Sequence, residues 1–210
     1  MTWIMNYRIK KAAIAVLRKE LGWKVLVSLS PGLSRRQKRG EPWENLSLPV
    51  DQKDRDSRAL IGDAILLYRE LLSRCPPAEA ERIIRAVIIE SAIMQLYTLV
   101  PKLSKSEILA LSPDERQQRF CSIINQFPNA DWRLAQVTDT DYGYLIYRCR
   151  LVELIIAVGH PELKDAFCAG DGLYFERHQP DITFSRPSQI GKGAKECEFN
   201  FSVKIEGGSK

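Results

Sequence analysis

The run Phe167-Cys168-Ala169-Gly170-Asp171 sets a thiol and a carboxylate three residues apart, at what reads as a helix end. A thiol can supply a nucleophile and a carboxylate a proton acceptor, provided their surroundings tune their pKa values. Each also has an ordinary structural reading. A free cysteine often only packs, and Asp171 before Gly172 suits a turn. Cys149, Cys168 and Cys197 with Asp171 form a second candidate set, because thiolates favour zinc and iron. Their separations of 19 and 29 residues match no zinc-finger spacing. Other chemistries are excluded. Gly170, Gly172, Gly191 and Gly193 fit neither the dinucleotide nor the Walker pattern, and no Gly-x-Ser-x-Gly occurs. His160 and His178 are the only histidines, too few for a His-rich metal cage, and His160 before Pro161 reads as a loop residue.

The elements that must position these residues are read from periodicity. Trp3 to Leu21 carries Ile4, Tyr7, Ala12, Val16 and Leu17 at roughly helical spacing, with basic residues between them. Ser30 to Asp56 holds Pro31, Gly32, Gly40, Pro42 and Pro49 and reads as a loop or linker. Arg58 to Arg74 shows one wide apolar stripe, and Cys75-Pro76-Pro77 ends it. Ala78 to Val100 is a second long helix stopped by Pro101, and Ser112-Pro113-Asp114-Glu115 opens a third that runs to about Phe127. The pattern then changes. Trp132 to Val137 and Tyr144 to Tyr147 predict a β-hairpin, Cys149 to Val158 a helix, and Pro161 to Ala169 a short one. Ile182 to Arg186 and Glu196 to Lys204 read as strands, with Cys197, Phe199 and Phe201 on one buried face and Glu198 and Asn200 on the other. The expected fold is α+β, a helical N-terminal half packed on a small, mainly antiparallel C-terminal sheet. Residues 1–56 are expected to form an amphipathic helix with a basic linker. Residues 57–205 are expected to form one domain, helical over 57–128 and mixed over 129–205.

From about Tyr147 to Phe201 the sequence resembles the C-terminal signature of the L-2-amino-thiazoline-4-carboxylic acid hydrolase family. The shared pattern is Cys168-x-x-Asp171, Phe184-x-Arg186, a turn with Gly191, and Cys197-x-Phe199-x-Phe201, preceded by Cys149. Two places depart from it. Ser188-Gln189-Ile190 stands where the family more often has Thr-Leu or Thr-Ile before the glycine, and Glu198 where Asp is more usual. The resemblance implies an enzyme that opens a thiazoline ring by adding water at its amidine carbon. Such a reaction needs a nucleophile, a proton acceptor and an anchor for the substrate carboxylate. Cys168 and Asp171 are the implied catalytic pair: Cys168 attacks, or Asp171 activates water or holds the protonated amidine. Arg186, a permanently charged fork that matches a carboxylate, is the implied substrate-binding residue. Against this, Arg186 has an ordinary reading in a surface ion pair.

Composition bounds the alternatives. With 45% hydrophobic and 27% charged residues, the 210-residue chain can bury a real core. Thirty-one basic against 26 acidic residues leave only +5, concentrated at Arg35, Arg36, Lys38 and Arg39. No broad basic face with interleaved aromatics appears, so nucleic acid is not an expected partner. The N-terminal helix and the Arg35–Arg39 region instead suit weak contact with an anionic membrane surface. Glu90 interrupts the most apolar stretch, Ala86 to Val100, so no membrane span is expected. Ala12 to Leu17, bracketed by charges, is too short for a secretory segment. Five cysteines without short-range pairing then point to free thiols in the cytoplasm. The expected partner is a small-molecule substrate or ligand, with no cofactor required. A non-catalytic ligand-binding or sensor module using the same pocket is the alternative, and a peripheral membrane or scaffold protein a further one.

Overall fold

Residues 3–204 are described by the computed structural model. The side chain of Ile4 and residue 205, the expected domain end, lie outside the described part. Helix α1 (Trp3–Lys38) consists of two segments joined at Gly22, whose φ of 74° and ψ of 165° are readily adopted only by glycine. Helix α2 (Gln52–Leu72) opens on Asp51, whose carboxylate accepts the Asp54 N–H at 2.6 Å. Helix α3 (Pro77–Leu99) begins with proline in its first turn, where no backbone donor is needed. Ser104 caps α4 (Lys105–Ala110), and Ser112 and Glu115 form a reciprocal capping box on α5 (Pro113–Ile124).

The second half alternates. Strands β1 (Ala130–Val137) and β2 (Asp141–Cys149) form the hairpin, and helix α6 (Arg150–Ala157) follows directly. A short 3-10 turn (Pro161–Leu163) leads into helix α7 (Ala166–His178), strand β3 (Ile182–Ser185) and strand β4 (Cys197–Val203). The sheet order is β1-β2-β4-β3 with every neighbouring pair antiparallel, and the fold class is α+β as the patterning predicts. On β2, Tyr142, Tyr144 and Ile146 stand opposite Phe201, Phe199 and Cys197 of β4. Phe175, Phe184, Phe199, Phe201 and Tyr144 stack or tilt on one another at centroid distances of 5.0–5.6 Å, joining α7 to the sheet.

Apolar packing divides into two main clusters. One joins α1, α2, α3 and α6 around Leu17, Leu29, Ile61, Ile84, Ile88 and Ile155. The other joins the end of α3, α5, α7 and the sheet around Leu96, Phe120, Tyr142, Tyr174 and Phe201. Among the described residues no helix is long and apolar enough to cross a membrane.

Four readings from sequence are corrected. Ser30 to Lys38 is helical, not loop: Leu29 is buried, Arg36 pairs with Glu41 at 2.9 Å and Glu70 at 3.1 Å, and these contacts outweigh the breaker Pro31. Gly32 lets the helix approach Glu70, because a Cβ there would lie 2.0 Å from its carboxylate oxygen. The short helix ending at Ala169 is in fact α7, which starts at Ala166 and continues to His178. Helix α4 has no counterpart in the patterning, although Ser104-x-x-Glu107 is a capping signal. On β4, Cys197, Phe201 and Val203 are buried as the alternation requires, while Phe199 is only half-buried.

The difference between those two phenylalanines is measurable. Phe201 is 4% exposed and touches Phe175, Phe184 and Tyr144, so Phe201→Ala is expected to cost about 3–5 kcal/mol in denaturant unfolding. Phe199→Ala, which removes a side chain that already borders open space, is expected to cost less than half as much. Equal losses would show that Phe199 is core.

Candidate active site

Three chain segments converge on the region between the helices and the sheet. Cys149 ends β2 and precedes α6. Its position is fixed by Arg150, whose guanidinium reaches Asp131 at 2.9 Å while its backbone N–H donates to the Asn129 carbonyl at 2.8 Å. Arg150 holds the Asp131 carboxyl down at about 2, with help from Lys53. Cys168 and Asp171 lie in the first two turns of α7, three residues apart and therefore on one face. That face is aimed by Gly170, since a Cβ there would fall 2.7 Å from the Ala92 Cβ of α3. The glycine thus serves close helix packing, not helix termination, which is why the local sequence misleads. Arg186 follows β3, and Cys197 opens β4, where its sulfur accepts the Ile190 N–H at 3.1 Å. Gly191 in the intervening turn sits against the Lys164 carbonyl, which a Cβ would approach to 2.7 Å.

Cys149, Cys168, Asp171, Arg186 and Cys197 all line one cavity of about 90 Å³. Its centre of charge is an ion pair: Arg186 Nη1 donates to Asp171 Oδ2, and Arg186 Nη2 donates to the Cys168 carbonyl at 2.6 Å. The guanidinium also lies over the rings of Phe199 and Phe184, 5.1 and 5.8 Å from their centroids. Its Nε is buried without a hydrogen-bond partner. A buried donor left unmatched is costly, and here it belongs to a residue of the cavity wall.

Burial raises the Asp171 carboxyl to about 6, and the charge and hydrogen bond of Arg186 keep it from rising further. Burial, aided by the neighbouring Asp171 charge, pushes the Cys168 thiol up to about 12. Cys149 and Cys197 are also raised by burial. The Tyr144 phenol is pushed up by burial and by Asp171, so it stays protonated. The site therefore offers a carboxylate that exchanges protons near neutrality, surrounded by neutral thiols and a neutral hydroxyl.

The structure brings Cys168, Asp171 and Arg186 together, with Arg186 on the same side of the sheet as Cys168. It also adds residues that the sequence reading missed. Lys164, Gln95 and Asn129 line the same cavity. Each is an isolated polar residue in an otherwise unremarked stretch, so nothing in the sequence marks it. Lys164 makes no ion pair among the described residues. Cys149, Cys168, Asp171 and Cys197 share the cavity, yet among the described residues no three His, Cys, Asp or Glu side chains are grouped to hold a metal ion.

No curated protein and no solved structure matches the chain. A family model does, over residues 54–201, which takes in α2 through most of β4 and every residue of the cavity described above. With that span matched, the chain belongs to the L-2-amino-thiazoline-4-carboxylic acid hydrolase family.

Proposed function

We propose that the protein is a hydrolase that opens a small, carboxylate-bearing cyclic amidine of the thiazoline type, with Asp171 and Cys168 at the reactive centre. The observation that carries this reading is the half-buried carboxylate of Asp171, held by Arg186 beside Cys168 on the wall of one cavity. The family's name points to the same class of reaction.

Asp171 takes the proton of a water molecule as its oxygen adds to the amidine carbon. The tetrahedral carbon then releases the ring sulfur or the ring nitrogen, and the departing atom takes the proton back from Asp171. A carboxyl group tuned to about 6 suits both halves of this exchange. Cys168 stays a neutral thiol, because its pKa of about 12 leaves almost no thiolate at neutral pH. It shapes the wall beside the reacting carbon, and water is the nucleophile. Arg186 keeps Asp171 charged and lends the positive charge of its guanidinium to the substrate carboxylate. Lys164 completes that anchor with a second positive charge.

Assays on 2-amino-thiazoline-4-carboxylate and related cyclic amidines test the assignment. Asp171→Asn should lower kcat by about 100- to 10,000-fold with a smaller effect on KM. Cys168→Ala should stay within about tenfold of the parent enzyme, whereas a covalent cysteine mechanism would lose turnover altogether. No turnover on any member of the panel, with ligand still bound, would leave a binding module.

Activity should rise with pH through about 6 and level off above it, because the working form is the carboxylate. Removing the cation that opposes the rise should move that limb to higher pH in Arg186→Gln. An unmoved limb would detach Arg186 from Asp171. Lys164→Met should raise KM about tenfold with kcat little changed, as expected for a carboxylate anchor.

A further inference from the structure

A second chamber of about 100 Å³ adjoins the active-site cavity, and the two share Leu96, Phe127, Asn129, Ile146, Asp171 and Phe199 in their walls. The chamber's far wall is built from Val100, Leu103, Phe120, Ile123 and Phe201. Asp171 is the one charged side chain that lines it, and Asn129 and Tyr144 are the other polar ones. Lys164 lines the first cavity but not the chamber.

Such a space is not neutral. Hydrocarbon surface facing water is unfavourable, and covering it with an apolar group gains about 25 cal/mol per Å². Water finds partners only beside Asp171, Asn129 and Tyr144, and the hydrocarbon remainder of the wall offers it none. A dry apolar cavity of about 150 Å³ holds benzene, so one of about 100 Å³ fits a branched chain of roughly four carbons.

We infer that this chamber is a hydrocarbon subsite, and that the preferred substrate is a cyclic amidine carrying a short branched alkyl group on its exocyclic nitrogen. The orientation follows from the walls. The carboxylate at one end of the ring meets Lys164 and Arg186, the amidine meets Asp171, and what projects past Asp171 enters the chamber. In a 2-amino-thiazoline-4-carboxylate the exocyclic nitrogen lies across the ring from the carboxylate, so that nitrogen carries the group. The inference rests on the hydrolase reading of the site for its head group, while the chamber stands on its own geometry.

The test compares 2-amino-thiazoline-4-carboxylate with its 2-isobutylamino analogue, by turnover and by titration calorimetry. The wild-type protein should favour the analogue by about 100-fold in kcat/KM and in affinity, since each buried methylene is worth about fourfold. Ile123→Phe, which fills the chamber, should cut that preference at least tenfold; Val100→Leu serves the same purpose if the larger side chain unfolds the protein, as read by circular dichroism. Equal use of the two compounds by the wild-type protein would overturn the subsite, as would a preference that survives filling. If neither compound turns over but the analogue still binds about 100-fold tighter, the hydrolase reading fails and the subsite holds. If the bare compound turns over and the analogue neither reacts nor binds better, the subsite fails and the hydrolase reading holds.

Discussion

The ion pair between Asp171 and Arg186 is the constraint on which the rest of the site depends. Taking a carboxylate and a guanidinium out of water is expensive, and their attraction offsets that cost only when the geometry is good and the remaining donors are matched. Here Asp171 comes from α7 and Arg186 from the end of β3, so the pair ties helix to sheet. The Phe184 and Phe199 rings beside the guanidinium keep water away and stabilise the cation through their faces. The same burial lifts the Asp171 carboxyl toward neutrality, and the same arginine limits the rise. Structural tie and chemical tuning are one interaction.

That pair sits on the seam between the two hydrophobic clusters. Cys149 and Phe167 pack on the helical cluster, whereas Leu96, Tyr144 and Phe199 belong to the cluster built on the sheet. Two cores that meet without merging leave space between them, and the cavity occupies it. Polar networks hold the outer edges of each. Arg150, Asp131 and Lys53 join α6, β1 and α2, while Arg36, Glu41, Glu70 and Arg74 tie the end of α1 to α2 near Gly32. Those pairs also engage Arg36 and Arg39 of the basic cluster with carboxylates of the same chain.

The three thiols near the cavity are governed by burial more than by any neighbouring charge. Each is raised, and Cys168 furthest, because Asp171 adds to its burial and no backbone N–H offsets the rise, as happens at Cys149 and Cys197. A thiolate needs a positive, partly wet environment, and Arg186 is already committed to Asp171. In the reaction proposed above, the chemistry accordingly rests with the carboxylate.

The sequence by itself determined most of the local structure. Ser112-Pro113 with Glu115 marked the start of α5, the alternation of Cys197, Phe199 and Phe201 set the face of β4, and the Cys168, Asp171 and Arg186 motif named the residues that converge. These signals are short-range: a cap, a period, a spacing. What only the tertiary structure decided depends on partners far along the chain. Helix α1 continues past Pro31 because Glu70 and the α2 core reward it, and α7 runs through Gly170 because α3 crosses there. Lys164, Gln95 and Asn129 joined the site through folding alone. The direction in which the Cys168 and Asp171 pKa values move was equally hidden, since desolvation is a property of the packed surroundings and residue spacing does not encode it.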